Sequence, residues 1–246
     1  MEATYKQTFT VSDIHVDRWG RAKPSVLVYF AQEVAGGHCK LLGLDWNALS
    51  ARQMFWAVIR QRVQVTRLPK LGETVTVETW PMPTTRVAYP RATVGYDADG
   101  NELFRVIGLW VLMNTQSRAM ILPGKSGVAL EGILRGNELA APGSILPQPL
   151  SNTTGRTVVY TELDRNGHMN NTRYLDWLAD LLPGEFHQHH PVKDFMICYN
   201  AEALEGQSLT LRWQLLDGPT LQVDACREPD GQDGKQERVF SAQMHF

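Results

Sequence analysis

Asp164, Asn166, Gly167 and His168 stand within five positions, immediately before an amphipathic run that reaches Trp177. A carboxylate can activate water, an imidazole can move a proton, and an amide can donate to a developing oxyanion. On an extended segment alternate side chains point the same way, so 164, 166 and 168 can share one pocket. Gly167 lets the backbone approach a ligand closely. The backbone N–H groups of Gly167 and His168, beside a helix N-terminus, are expected to polarise a carbonyl oxygen. Asn170 or Asn171 can cap that helix. On spacing alone a plain capped loop competes with this reading, because Asp and Asn are ordinary turn residues.

Glu202 follows the apolar run 195–201. Desolvation there would raise its basicity, against the simpler reading of a strand-end carboxylate. Cys198, between Ile197 and Tyr199, reads as a small buried hydrophobe rather than a nucleophile. His187, His189 and His190 have no Cys or carboxylate pattern beside them, so no metal site is expected. Ser25, Ser50 and Ser126 lie in no Gly-x-Ser-x-Gly setting. In the first half Trp46, Met54, Trp56, Trp110 and Met113 are candidates to line a tunnel for an apolar substrate, though bulky apolar residues are mostly core. Arg18, Arg21, Lys23, Arg60, Arg62, Arg67 and Lys70 could form a face for an acidic partner. Solvated strand edges are the plainer reading for most of them.

The elements that must position these groups are mainly strands. The chain has 246 residues, of which 43% are hydrophobic, enough for one large domain or two small ones. A net charge of −2 with interspersed signs excludes the basic footprint of a nucleic-acid binder. The three cysteines, an odd number without metal spacing, read as reduced thiols. The opening residues lack the apolar core of a signal peptide, and no run approaches the ~18 apolar residues of a membrane span. A cytoplasmic protein is expected. Period-two alternation marks 63–66 and 74–80, and the near-continuous apolar run 106–113 suits a central strand. Asp97–Gly100 suits a turn between strands. A helix is expected from Ser25 to about Leu42. Residues 116–155, rich in Gly and Pro, read as a linker with a short helix near 126–134. A helix within 164–182 and strands at 194–202, 206–213, 219–227 and up to Phe246 follow, with an Asp-Gly turn at 230–231.

The second half repeats the first. Gly72–Trp80 matches Gly206–Trp213 at an offset of 206 − 72 = 134, and Asp17 matches Asp164 at 164 − 17 = 147. Each half is expected to wrap an antiparallel sheet around one helix. The stripes Val26, Leu27, Phe30, Val34 and Tyr174, Leu175, Leu178 would face those sheets.

The residues also resemble a known family, the acyl-acyl-carrier-protein (acyl-ACP) thioesterases of bacteria and plant plastids. The likeness is carried by 17–24 (Asp-Arg-Trp-Gly-Arg-Ala-Lys-Pro), 30–35 with His38, 56–60 and Pro69, Gly72, 78–80. It continues through 110–114 with Arg118 and Pro123, the Asp164 run, and 199–202, nearly the whole chain in order. The resemblance implies an α+β fold: a tandem pair of hot-dog domains, two long helices each wrapped by an antiparallel sheet, the sheets joined edge to edge. It would place an acyl-binding domain at 1–122, a linker at 123–155 and a catalytic domain at 156–246. It implies hydrolysis of fatty acyl-ACP to free fatty acid and holo-ACP, with no cofactor, by a monomer or homodimer whose catalytic residues are Asp164, Asn166, His168 and Glu202. Glu202 or Asp164 would activate water; a covalent anhydride is a second route. Plant members carry a cysteine directly after the glutamate, whereas this chain has Ala203, so a Cys–His mechanism is not available there. The alternatives are an acyl-CoA thioesterase and a non-catalytic acyl-binding module. Asp17, Trp19 and Arg21 occupy the matching positions of the first half, which implies one active site per chain.

Overall fold

The computed structural model describes residues 3–227 and 236–246. The chain forms two compact units, Met1–Pro142 and Gly143–Phe246. The first contains β1 (Tyr5–Thr10), α1 (Pro24–Leu41), α2 (Trp46–Ser50), β2 (Met54–Val65), β3 (Thr74–Pro81), β4 (Tyr89–Tyr96), β5 (Glu102–Asn114), β6 (Met120–Ile121) and α3 (Pro123–Ser126). Its strands run antiparallel in the order β1-β3-β4-β5-β2, with β6 on β5. Pro24 opens α1 because its fixed φ suits a first helical turn and its missing N–H would have had no helical partner. Val26, Leu27, Phe30 and Val34 are buried, and α1 lies against β1, β3 and β5. β5 pairs with β4 on one side and β2 on the other, which accounts for its near-continuous apolar sequence. The Asp97 carboxylate closes the turn before β5 by accepting from the Asp99 and Asn101 N–H groups at 3.0 and 2.8 Å.

The second unit contains β7 (Asn152–Thr157), α4 (Arg173–Ala179), α5 (Gly184–His189), β8 (Asp194–Tyr199), β9 (Ser208–Leu216), β10 (Thr220–Arg227) and β11 (Glu237–His245). Its order, β7-β9-β10-β11-β8, is the order of the first unit strand for strand. Each unit thus has the helix-on-antiparallel-sheet arrangement expected from the repeat. Tyr174, Leu175 and Leu178 of α4 are buried, and the Tyr174 ring meets Tyr199 of β8 and Phe240 of β11 edge-on, at 5.2 and 4.9 Å between centroids.

Three expectations need correction. The second helix is not long: α4 has 7 residues, and Pro183, which cannot continue a helix, separates it from α5. The short helix expected near 126–134 is instead α3, ending at Ser126. The stretch taken as a linker already contains β7, the counterpart of β1 at 152 − 5 = 147. Much of the remainder is fastened to its own unit. Arg135 donates to the buried Glu78 at 3.0 and 2.7 Å and lies 4.0 Å over the Trp80 ring. In the second unit Gln148 Nε2 donates to Gln222 Oε1 at 3.0 Å and Arg238 Nη1 to the Ile145 carbonyl at 3.0 Å. The Asp-Gly turn at 230–231 lies outside the described residues.

Candidate active site

The Asp164 run folds into a tight closed loop. The Asp164 N–H donates to the His168 carbonyl at 2.7 Å, and the Gly167 N–H donates back to the Asp164 carbonyl at 3.0 Å. Gly167 has φ +79°, the left-handed value that glycine adopts without a Cβ penalty. Asp164 Oδ1 accepts from the N–H groups of Asn166 and His168, at 2.8 and 3.2 Å. This corrects the oxyanion assignment: the Gly167 and His168 amides are engaged inside the loop by Asp164. Asp164 Oδ2 accepts from Asn166 Nδ2 at 3.4 Å. Asn170 completes the approach to α4 by accepting from the N–H and hydroxyl of Thr172 at 2.9 and 2.8 Å.

The first unit makes the same loop from different residues. Asp17 N–H donates to the Arg21 carbonyl at 2.8 Å, Gly20 N–H to the Asp17 carbonyl at 3.0 Å, and Gly20 has φ +73°. Asp17 Oδ1 accepts from the Trp19 and Arg21 N–H groups at 2.9 and 3.0 Å. The difference is at the other oxygen. Asp17 Oδ2 is covered by Arg21, with Nε and Nη2 both at 3.1 Å. In the second unit His168 takes the place of Arg21, and the neighbour at that oxygen is the Asn166 amide.

His168 is turned instead toward Glu202, with Nε2 3.3 Å from Oε2. Two backbone links bring Glu202 there. Met169 N–H donates to the carbonyl of Ala203 at 2.8 Å, and His168 bridges to Leu204. Arg227 Nη1 fixes the turn from outside by donating to the Glu202 carbonyl at 3.0 Å and to Gln207 Oε1 at 2.8 Å. The His168 side chain is only 10% exposed, while that of Glu202 is 34% exposed, so water can reach the pair from the glutamate side. The same bridge in the first unit joins Arg21 to Lys70, and the position matching Glu202 at the 134 offset is Leu68. The side chains thus form two pairs, Asp164 with Asn166 and His168 with Glu202, joined through the His168 backbone N–H on Asp164, and the repeat supplies a second copy of their scaffold from other residues.

Tyr174 lies on the inner side of this group. Burial first, then the charge of Asp164, pushes its phenol well above the ordinary range, so it stays protonated. Cys198 is buried mid-strand, with its thiol 3.5 Å from the Gly143 carbonyl. His187 and His190 bond the backbone carbonyls of Ala179 and Phe186, at 2.9 and 3.0 Å. Among the described residues no His, Cys, Asp and Glu group has the arrangement of a metal site.

In the first unit Met54, Trp56 and Trp110 gather in one apolar cluster with Leu44, Tyr89 and Leu112. Trp46 is 40% exposed and Met113, on the β5 strand opposite Phe55, is half-buried; neither belongs to that cluster. Arg91 is a feature that the sequence reading missed. It is buried on β4, donates from Nη1 to Thr79 Oγ1 at 3.3 Å, and lies 3.1 Å from His38 Nδ1. Burial lowers its guanidinium below the ordinary range. An arginine inside the apolar run 88–94 was the available signal.

The family model "Acyl-ACP thioesterase N-terminal domain" matches residues 2–122, and "Acyl-ACP thioesterase C-terminal domain" matches 148–238. The chain is 27% identical over 218 residues to the chloroplastic dodecanoyl-[acyl-carrier-protein] hydrolase of Cinnamomum camphora, covering 80% of this chain and 56% of that one. It is 25% identical to the chloroplastic palmitoyl-acyl carrier protein thioesterase of Gossypium hirsutum, covering 80% and 52%. The chain thus spans about half the length of the curated relatives it matches. An acyl-ACP thioesterase from Bacteroides thetaiotaomicron shares the fold at a TM-score of 0.87 and 24% identity, over 99% of this chain and 98% of that one. The 12:0-ACP thioesterase of Umbellularia californica does so at 0.83 and 22%, over 100% and 97%. The two family models together cover most of the chain, both repeats included, and the chain belongs to the acyl-ACP thioesterase family.

Proposed function

We propose that this protein hydrolyses the thioester of fatty acyl-ACP, releasing fatty acid and holo-ACP as a chain-terminating step of fatty acid synthesis, at the Asp164 loop of the second unit. The observation that carries the reading is the contrast at the aspartate: Arg21 covers Asp17 Oδ2, whereas Asp164 Oδ2 faces the Asn166 amide, and the residue at the Arg21 position, His168, pairs with Glu202 instead. Asp164 is held by one oxygen and works with the other. It takes a proton from water as the water oxygen adds to the thioester carbon. The Asn166 amide beside Oδ2 donates to the oxyanion, the part first assigned to the loop backbone. Glu202 stabilises the imidazolium form of His168, which supplies the proton to the sulfur when the C–S bond breaks; the proton that Asp164 took from water then passes through solvent to His168, restoring the carboxylate and the imidazolium. The first-unit cluster around Met54, Trp56 and Trp110 takes the acyl chain.

The carrier-linked substrate is supported by relatives named for dodecanoyl-, palmitoyl- and oleoyl-ACP. Action in the cytoplasm is supported by the absence of any disulfide among Cys39, Cys198 and Cys226. No helix among the described residues is long and apolar enough to cross a membrane. The test is turnover of one acyl chain presented on ACP and on CoA. The reading requires a higher kcat/KM on ACP; equal or better cleavage of the CoA ester would move the protein to the acyl-CoA thioesterases.

A further inference from the structure

The first-unit loop has kept its backbone and lost its chemistry, and the replacements share one character. At the positions of His168, Asn170 and Leu204 stand Arg21, Lys23 and Lys70, while Arg18 matches Arg165. Arg21 and Lys70 bridge directly, so these cations occupy one surface. Arg18 and Arg21 both lie over the Trp19 ring, at 5.5 and 5.1 Å, and Lys23 Nζ reaches the Ile14 carbonyl at 3.3 Å. Apolar side chains emerge among them, Ile14 at 79% and Leu71 at 49% exposure. Of the nearby acids, Asp17 is bound by Arg21 and Glu73 by Arg67, leaving Asp13 exposed on the same loop. A chain with a net charge of −2 has thus concentrated positive charge around exposed apolar groups at its vacant pseudo-site.

We propose that this first-unit loop, formed by Arg18, Lys23, Lys70, Ile14 and Leu71, is the docking surface for an acidic carrier protein. The inference rests on the acyl-ACP reading above. Basic side chains steer an acidic partner and set its register, and the apolar pair gives the contact a dry centre. The duplicated loop then has two uses, chemistry in one unit and recognition in the other.

The test is charge reversal, Lys23→Glu with Lys70→Glu, read by anisotropy titration of labelled holo-ACP and by steady-state kinetics on acyl-ACP. The expected result is holo-ACP affinity at least about ten-fold weaker and KM raised in parallel, with kcat at saturation retained. Wild-type binding should also weaken more steeply with salt than that of the variant. Lys40→Glu, the same charge change on exposed α1 surface, should leave both unchanged. Should the reversal variant misfold, Lys23→Gln with Lys70→Gln reads the same effect at smaller size. Unchanged affinity and KM in the folded variant would overturn the proposal. If the wild type cleaved no acyl-ACP, the hydrolase reading would fall, and the holo-ACP titration would still decide the docking surface.

Discussion

Asp17 and Asp164 form a matched pair inside one molecule, and substituting each in turn separates what the aspartate does for the loop from what it does for the reaction. In both loops Oδ1 receives two backbone N–H bonds, of 2.9 and 3.0 Å at Asp17 and 2.8 and 3.2 Å at Asp164. Alanine at either position strands two half-buried amides. Water can partly replace the lost acceptor, so about 1–3 kcal/mol per variant is expected, a fall of roughly 2–10 °C in melting temperature. Asparagine keeps a carbonyl oxygen for the amides, so Asp164→Asn should lose no more than about 1 kcal/mol, whereas Asp17→Asn also sets an amide NH2 against the two Arg21 donors and should lose about 1–3 kcal/mol. Turnover should divide the pair. Asp164→Asn leaves no carboxylate at the oxygen that takes the proton from water, and kcat should fall at least about 100-fold. Asp17→Asn should hold kcat within a few-fold. The assay is a thermal melt of each variant alongside release of fatty acid at saturating acyl-ACP. A folded Asp164→Asn variant with near-normal kcat would refute the reasoning, because the aspartate would then be a turn residue in both loops.

Two further outcomes follow from other contacts. Glu202→Gln removes the charge that stabilises the His168 imidazolium across 3.3 Å, and should lower kcat by roughly 100-fold or more with little change in melting temperature, since Glu202 is partly exposed; a rate loss below ten-fold would remove the pair from the mechanism. The Arg135 hydrogen bond, the largest influence on Glu78, holds that carboxyl below the ordinary glutamate range. A depressed carboxyl contributes stability that is complete above its unfolded pKa of about 4.3 and is lost as acid carries the pH down through the folded value. Melting temperature should therefore fall more steeply below about pH 4.3 in the wild type than in Glu78→Gln, and parallel curves would show that the pair contributes nothing.

The two-unit architecture was legible because its signals are local and repeated: period-two strands, a proline-led helix and a glycine-led strand at matching offsets. The aspartate loop was legible for the same reason, since Asp, Gly and their spacing prescribe a turn in both halves. What the loop does was not. The sequence shows Gly167 and His168 as available amides, but the folded loop commits the first to the Asp164 backbone carbonyl and the second to the Asp164 carboxylate. Glu202 lies 34 positions from His168 in sequence (202 − 168 = 34), and the pairings of Met169 with Ala203 and of His168 with Leu204 draw it in. Composition misled at 152–157, where an edge strand of polar residues beside prolines resembles a linker. It misled again at α4, where the apolar spacing runs past the point at which Pro183 ends the helix. Arg91 was hidden because its partners, Thr79 and His38, come from other elements.

The assignment of hydrolysis to this site is decided by fatty acid released from a panel of acyl-ACPs by the wild type and by the double variant Asp164→Asn with Glu202→Gln. The wild type should release free fatty acid and holo-ACP in matched amounts, and the folded double variant none above the uncatalysed rate. Release that persists in the double variant, or no release by the wild type at any chain length, would contradict that assignment.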